Sequence, residues 1–321
     1  MQKSIMYVFL ILFSSTILLV DCSKKNAKNT EDKVYKIAFC YFGPDEGADH
    51  VMKGFLEGLA TAGISEGKNL EVSKFHAAGD MSNIPQMIKN ADSKGFDLII
   101  PLSTPCLAAA AAGVKKTNVV FCYVYDPIAA GAGKSFTDHL PKITGVGSFP
   151  PLEETIHFMQ KVIPSVKRIG MIYNSSEANS RKVVEVGKGI LKNRGLELVE
   201  VTITATNEVA QAATSLCSKD IQIVWTSGDN TVIQAFDGVV KAANNAKIPV
   251  IINDVDFVNK GALAAIGINW QETGRAGSNL AARVLKGEDP KNIPIENFVI
   301  NQNVLNQEVA KKLGITFPAG L

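Results

Sequence analysis

Short apolar runs alternate with longer amphipathic stretches along most of the chain, and this alternation constrains the fold more than any other feature. The first apolar run, VYKIAFC, covers 34–40, and the stretch at 48–63 repeats apolar residues at helical spacing and ends at Gly63. Strands that are apolar almost throughout are typical of parallel sheets covered by helices on both faces. The sequence therefore predicts an α/β fold with doubly wound parallel sheets.

The alternation occurs in two successive series, which FPPLEE at 149–154 separates. The strand-like runs of the two series are 34–40, 70–77, 96–103, 119–124 and 143–148, then 167–173, 196–204, 221–226 and 248–253. Between these runs the pattern predicts helices at 48–63, 83–95, 104–116, 151–163, 177–193, 207–219 and 231–246. After the second series come a strand at 262–269, a helix at 270–288, a short strand at 298–301 and a last helix at 307–315. Roughly 290 residues exceed what one hydrophobic core usually holds. We therefore expect two lobes, one for each series.

The beginning of the chain has the form of an export signal. Lys3 precedes an apolar stretch from Ile5 to Val20, and Asp21 and Cys22 follow it. A positive start, an apolar core and a terminal cysteine predict a lipoprotein signal peptide at 1–22, with the lipid on Cys22. Asp21 stands where such sites usually carry Gly, Ala or Ser, so an ordinary cleaved signal and a retained membrane anchor remain alternatives. The polar segment 23–33 is predicted to be a flexible tether.

Charge and motifs exclude several classes of function. The net charge of +2 gives no electrostatic argument for nucleic-acid binding. GAGKS at 131–135 lacks the earlier glycine of a phosphate-binding loop, because Ile128 stands there. No histidine pair has metal-ligand spacing, and the cysteines match no zinc pattern. We therefore expect no cofactor and no metal, and no nucleophile of a hydrolase is recognisable.

Polar residues follow most of the predicted strands, beginning with the stretch YNSSEANS at 173–180. Ligands of open parallel sheets bind beyond the carboxyl ends of the strands, which makes these residues the candidates for a binding site. The candidates, with two aromatic residues at strand ends, are Ser103, Thr104, Asp126, Asn174, Glu177, Asn179, Ser180, Asp229, Asn230, Thr231, Asp254, Phe42 and Trp270.

The chemistry of these candidates suits a ligand that carries both a carboxylate and an ammonium group. Hydroxyls, amides and helix N-termini attract a carboxylate, whereas Asp126, Asp229 or Asp254 would receive an ammonium. The predicted ligand class is therefore amino acids and their close relatives. The alternative interpretation is that residues such as Thr104 and those at 229–231 only cap the helices that follow them.

Several segments carry a more specific resemblance. They are 103–111, 121–131, 173–180, 227–233, 242–250, 261–269, 273–277, 284–296 and 311–318. In order and spacing they resemble the ABC-transporter substrate-binding family whose characterised members include tryptophan- and tyrosine-binding lipoproteins.

The resemblance implies the type I periplasmic-binding-protein fold, in which two lobes joined by three crossovers trap a ligand in the cleft between them. It assigns 34–148 and 254–286 to the first lobe and 149–253 and 287–321 to the second. The chain departs from the family at 41–50. It also departs at Ser175 and Ser176, because relatives often have Pro-Gly at those two positions. Tyr41, Phe42 and Trp270 would suit an aromatic ligand by stacking.

The resulting hypothesis is an extracytoplasmic protein, lipid-anchored in the periplasm or on the cell surface, that binds a solute by hinge closure. Its expected partners are the small-molecule ligand, an ABC permease with its ATPase, and the membrane through the N-terminal lipid. Two alternatives are a ligand-sensing subunit of a membrane signalling partner and an enzyme that uses the same cleft. No legible nucleophile–base pair or metal cluster supports the enzyme.

Overall fold

The computed structural model describes residues 33–318, which form two sheets of six strands each, with helices on their faces. The predicted signal peptide, the lipidation site Cys22 and nearly all of the tether lie outside the described residues. The strands are β1 (Tyr35–Tyr41), β2 (Leu70–His76), β3 (Leu98–Leu102), β4 (Asn118–Val124), β5 (Ile143–Gly147), β6 (Arg168–Asn174), β7 (Glu197–Ile203), β8 (Ile223–Thr226), β9 (Val250–Asp254), β10 (Ala264–Ile268), β11 (Glu296–Asn297) and β12 (Asn301–Leu305).

The helices lie between the strands, as the alternating pattern predicts. They are α1 (Glu46–Thr61), α2 (Ile84–Ser93), α3 (Thr104–Gly113), α4 (Leu152–Val162), α5 (Ala178–Asn193), α6 (Val209–Cys217), α7 (Asn230–Ile233), α8 (Phe236–Ala246), α9 (Trp270–Leu285) and α10 (Gln307–Leu313). Among residues 33–318, no helix is both long enough and apolar enough to cross a bilayer.

The first sheet has the order β11-β5-β4-β3-β1-β2 and the second β12-β10-β9-β8-β6-β7. All pairings are parallel except that of β10 with β12. We call the first sheet with α1, α2, α3 and α9 the first lobe, and the second sheet with α4 to α8 the second lobe. The predicted doubly wound α/β class is confirmed.

The chain passes between the lobes three times: after β5, between β10 and α9, and between β11 and β12. The tail is shared between the lobes strand by strand. Within the range 254–286, β10 pairs with β9 of the second sheet, whereas α9 packs on α1 of the first lobe. β11, which belongs to the range 287–321, pairs with β5 of the first sheet. This allocation differs from the contiguous ranges expected above.

The packing of α9 on α1 positions one wall of the cleft. A side chain at Gly54 of α1 would collide with the backbone of Gln271, and one at Gly274 of α9 would collide with the backbone of Val51. The two helices therefore approach closely, because glycine leaves room for backbone contact. This packing holds Trp270, the first residue of α9, at the edge of the cleft.

Two local predictions were wrong. The helix expected over 231–246 is broken into α7 and α8, because Ala235, with φ −127° and ψ 29°, leaves the helical conformation. The strand expected at 298–301 is displaced, since β11 ends at Asn297 and β12 begins at Asn301. Residues 298–300 instead form the passage between the two sheets.

Candidate functional site

A cavity lies between the lobes, where the carboxyl ends of strands from both sheets face each other. The empty space among its walls, together with the part that opens to solvent, is about 390 Å³. Its walls are formed by Phe42, Asp45, Ser103, Thr104, Tyr123, Tyr125 and Trp270 from the first lobe, and by Asn179, Gly228, Asn230, Ile233 and Gln234 from the second.

Ser103 and Thr104 form the polar part of the first-lobe wall, at the start of α3. Ser103 is buried and has φ 98° and ψ 152°, a conformation that non-glycine residues rarely adopt. Its side chain does not cap α3, and its hydroxyl has no hydrogen-bond partner within the described residues, although the sulfur of Cys106, a weak acceptor, lies beside it. Strain and an unpaired hydroxyl at a helix N-terminus together suit an anionic ligand group.

Aromatic rings make up most of the remaining first-lobe wall. The rings of Tyr123 and Trp270 meet edge to face, with their centroids 4.5 Å apart. The ring of Tyr125 is nearly parallel to that of Trp270, with a centroid separation of 6.3 Å. Phe42 adds a further ring to the wall. The indole nitrogen of Trp270 is buried and finds no acceptor among the described residues. The wall can therefore pack against a flat apolar group, and its indole N–H can donate one hydrogen bond to an acceptor atom of a ligand.

The second-lobe wall presents a free amide oxygen. Asn179 donates from Nδ2 to Glu177 at 3.0 Å and to the carbonyl of Gly228 at 2.9 Å. These bonds fix the amide and leave its Oδ1, which is buried, without a donor in the part of the chain that the structure describes. A buried acceptor without a partner is costly, so a ligand that donates a hydrogen bond here would relieve that cost.

Glu177 holds this wall in place. Its carboxylate accepts hydrogen bonds from the backbone and side chains of Asn230 and Thr231, at 2.6–3.0 Å, as well as from Asn179. Glu177 therefore ties the start of α5 to the start of α7 by charge-assisted bonds. It acts on the cavity through the residues that it positions.

Asp229 forms a second buried acidic centre behind the wall. Its carboxyl group accepts from the Asn174 N–H at 2.6 Å, the Ser180 hydroxyl at 2.7 Å and the Val232 N–H at 2.9 Å. Burial, and then the charge of Glu177, raises the pKa of Asp229 to about 8. Its hydrogen bonds cap α7 and join that helix to β6, so the cap alternative describes this residue.

A third acidic group lies where α1 faces the segment after β9. The hydroxyl of Tyr123 is 3.3 Å from Asp45 Oδ1 and 3.2 Å from Asp254 Oδ2, and one hydroxyl hydrogen can serve only one of them. Burial raises the pKa of Asp45 to about 6 and that of Asp254 well above its ordinary value. Asp256 pairs with His50 at 2.8 Å. Of these carboxyl groups, the cavity wall includes only that of Asp45.

The structure brings together some of the sequence-predicted residues and not others. Those on the cavity wall are Phe42, Ser103, Thr104, Asn179, Asn230 and Trp270. Ser180 and Asp229 line a smaller adjoining space that shares Tyr125 and Gly228 with the cavity. Asn174, Glu177 and Thr231 lie behind the wall in the Glu177 network. Asp126 accepts from the Ala129 N–H in its own turn, and Asp254 contacts Tyr123; neither is on the wall.

Sequence reasoning missed six residues of the wall. These are Asp45, Tyr123, Tyr125, Gly228, Ile233 and Gln234. Asp45 carries a detectable signal, since it precedes a helical stretch and caps α1 by accepting from the Ala48 N–H at 2.7 Å. Ile233 and Gln234 carry none, because the pattern predicts an unbroken helix there. Within residues 33–318, no cluster of acidic, histidine and cysteine side chains is arranged to hold a metal ion.

A family model described as ABC transporter substrate binding protein matches residues 36–321. The chain belongs to this family. The tyrosine-binding protein of Clostridioides difficile strain R20291 is 30% identical over 293 residues, which cover 91% of this chain and 85% of that protein. The family membership expected from the sequence is confirmed.

Two solved structures of substrate-binding proteins show how the lobes are arranged. The ABC domain from Streptococcus pneumonia in complex with L-Trp is 30% identical and superposes with a TM-score of 0.85. A ligand-free, open substrate binding protein from Clostridium difficile, also 30% identical, has a TM-score of 0.67. Each comparison covers 89% of this chain and 97% of the other. The lobe arrangement therefore agrees better with the L-Trp complex than with the open structure.

Proposed function

We propose that the protein is the solute-binding lipoprotein of an ABC importer and that it binds an amino acid with an aromatic side chain. One observation carries this proposal: Ser103 Oγ, Asn179 Oδ1 and Trp270 Nε1 are buried without partners among residues 33–318, and their three residues line a single cavity with aromatic walls. An amino acid offers carboxylate oxygens that can accept from Ser103 Oγ and Trp270 Nε1, an ammonium that can donate to Asn179 Oδ1, and a flat ring for the aromatic walls.

The ends of the ligand follow from the chemistry of the walls. Its carboxylate lies at Ser103 and the N-terminus of α3, where a hydroxyl and the helix dipole attract an anion. Its ammonium lies near Asp45 and Asn179 Oδ1, the acidic and amide acceptors of the wall. A tyrosine-binding relative and a related structure in complex with L-Trp support an aromatic ligand side chain, which would pack against Tyr123, Tyr125 and Trp270.

The mechanism is hinge closure without covalent chemistry. Ligand groups that contact both lobes gain their full set of bonds only when the lobes are together, so binding shifts the equilibrium towards the closed form. Outside the cytoplasm, the closed form then binds to an ABC permease, which works with its ATPase. Binding rather than catalysis agrees with the family of substrate-binding proteins.

A thermal-shift screen of the purified protein tests the ligand class. L-Trp, L-Tyr and L-Phe should raise the unfolding midpoint in a concentration-dependent way, since a ligand that binds only the native state stabilises it. Tryptamine lacks the carboxylate and indole-3-propionate lacks the ammonium, so both should shift the midpoint far less than L-Trp. Equal shifts from all of these compounds would contradict recognition of an amino acid.

The anchor is a separate proposal that rests on Cys22 following the apolar stretch of the signal. Cys22→Ala should release the protein from the membrane fraction of expressing cells, whereas the wild type should stay with it. Membrane retention of the variant would favour the uncleaved apolar segment as the anchor.

A further inference from the structure

Gln234 reaches from the second lobe to the rim of the first. It occupies the break between α7 and α8, and its Nε2 donates to the carbonyl oxygen of Pro44 at 3.2 Å. The amide also lies over Gly43, where an added Cβ would be 2.7 Å from Oε1 and 2.9 Å from Cδ. The side chain therefore fits against Gly43 only because that position has no side chain.

The rim that receives Gln234 is one unit built from two loops. The loop after β1 and the loop after β2 are joined by the Gly79 N–H, which donates to the Phe42 carbonyl at 3.0 Å. An added Cβ at Gly79 would be 3.7 Å from Gln234 Cγ, so Gln234 lies beside both glycines. Thr206 of the second lobe makes a longer contact to the Gly79 carbonyl, at 3.4 Å.

We propose that Gln234 and its seat, Gly43 with Gly79, form a latch that stabilises the closed lobes independently of the ligand. The contacts of the latch join protein to protein, with the Gln234 amide committed to the backbone of Pro44. The latch adds the same free energy to the closed state whatever lies in the cavity, so Gln234 is a positioning residue for closure. The inference extends the proposed function, because ligand affinity is its main readout.

Affinities for several ligands separate a latch from a ligand contact. Gln234→Ala should lower the affinities for L-Trp, L-Tyr and L-Phe by the same factor, about 3- to 10-fold, as expected for the loss of one net hydrogen bond. Isothermal titration calorimetry measures each dissociation constant. Factors that differ between the three ligands, or unchanged affinities, would overturn the latch. Gln86→Ala, at an exposed glutamine of α2, is the matched control and should change none of them.

A double-mutant cycle tests the seat. Gly43→Ala forces the Gln234 amide out of its position and should reproduce the loss caused by Gln234→Ala. Once Gln234 is alanine, the added methyl group at position 43 meets no amide, so the double variant should bind like either single variant. Additive losses would mean that the two residues act separately and would refute the latch.

Tryptophan quenching keeps the test independent of ligand identity. The chain has two tryptophans; Trp225 is fully buried in the second sheet, whereas Trp270 lines the cavity. In ligand-free protein, acrylamide should quench the tryptophan fluorescence of Gln234→Ala and Gly43→Ala more strongly than that of the wild type. The reason is that the lobes of the variants separate more often and expose Trp270. Equal quenching in all variants would overturn the latch even if L-Trp binds. Stronger quenching without binding of any amino acid would support the latch and refute the proposed ligand class.

Discussion

Ser103 illustrates how a single residue can be unfavourable for folding and favourable for binding. Its backbone is strained at φ 98°, and its buried hydroxyl has no partner within the described chain. Each feature costs free energy in the unliganded protein. A ligand carboxylate at this position would offset the second cost, which is the physical reason for placing that group here.

Substitution of Ser103 separates these two costs. Ser103→Ala removes the hydroxyl and keeps the strain, so we expect an unchanged or slightly higher free energy of unfolding and a loss in L-Trp affinity of about 10-fold or more. Ser103→Gly should lower the L-Trp affinity by the same factor as Ser103→Ala. Its free energy of unfolding should be about 1 kcal/mol higher than that of Ser103→Ala, because glycine relieves the backbone strain. Urea unfolding and calorimetry measure the two quantities. A destabilised Ser103→Ala with normal affinity would place the hydroxyl in the fold rather than in binding.

The raised pKa of Asp45 predicts that L-Trp binding depends on pH. Burial raises its pKa to about 6, so the carboxylate is charged above that pH and neutral below it. An ammonium is attracted only by the charged form, and L-Trp affinity should therefore fall by up to about tenfold per unit as the pH drops below 6. Calorimetric titrations between about pH 7.5 and 5 measure this trend.

Asp45→Asn is the control for the pH dependence. Asparagine caps helices as well as aspartate does, so α1 should stay intact. The variant should bind L-Trp more weakly at neutral pH and lose the fall in affinity below pH 6. A pH profile unchanged in Asp45→Asn would assign the titration to Asp254 or Asp256 instead, since the pKa of each is raised as well.

At the scale of elements, α7 is a helix of four residues whose position depends on side chains from elsewhere in the chain. Glu177, at the start of α5, accepts from its first N–H groups, and Asp229 caps it. Isolated helices of this length are unstable, so the helix exists because the two carboxyl groups hold it. The break after it directs Gln234 to the rim of the cleft.

Glu177→Gln should therefore disturb both stability and binding. In either orientation, the new amide group would place a donor against donors of Asn230 or Thr231. We expect a loss of about 3 kcal/mol in the free energy of unfolding, with weaker L-Trp binding. Glu185→Gln, at an exposed position of the same helix, should change stability by less than about 0.5 kcal/mol. Equal stability of the two variants in urea would show that the buried network is dispensable.

At the scale of the molecule, the lobes also meet inside the cavity. The Gly228 N–H donates to the Tyr125 hydroxyl at 3.0 Å, and an added Cβ at Gly228 would lie 2.5 Å from that oxygen. Closure at this point therefore requires a residue without a side chain. The same contact brings the aromatic wall and the amide wall to the two sides of one cavity.

Gly228→Ala should hold the lobes apart. Because the ligand then contacts both lobes less well, L-Trp affinity should fall by at least about tenfold, while the lobes themselves remain folded. Gly189→Ala is the matched control: that glycine lies on the exposed face of α5 with no atom near an added Cβ. The control should keep full affinity and gain up to about 1 kcal/mol in stability. Full affinity in Gly228→Ala would contradict closure at this contact.

The alternating pattern was sufficient for the fold class because strands and helices are specified by neighbouring residues. Apolar runs predicted the positions of β1 to β9, and periodic stretches predicted those of α1 to α6. The same reasoning failed at 234–235, where the chain leaves the helix although its sequence remains compatible with one. That break depends on contacts with α5 and the opposite lobe, which no local pattern contains.

The sequence by itself determined that two parallel sheets form and that polar residues gather at their carboxyl ends. Only the tertiary structure decided which of those residues face the cavity. Among the described residues, Ser103 and Asn179 keep an atom without a partner, whereas Glu177 and Asp229 accept most of their hydrogen bonds from residues 49 to 55 positions away. The physical reason is that a polar group becomes available to a ligand only when no other part of the folded chain satisfies it.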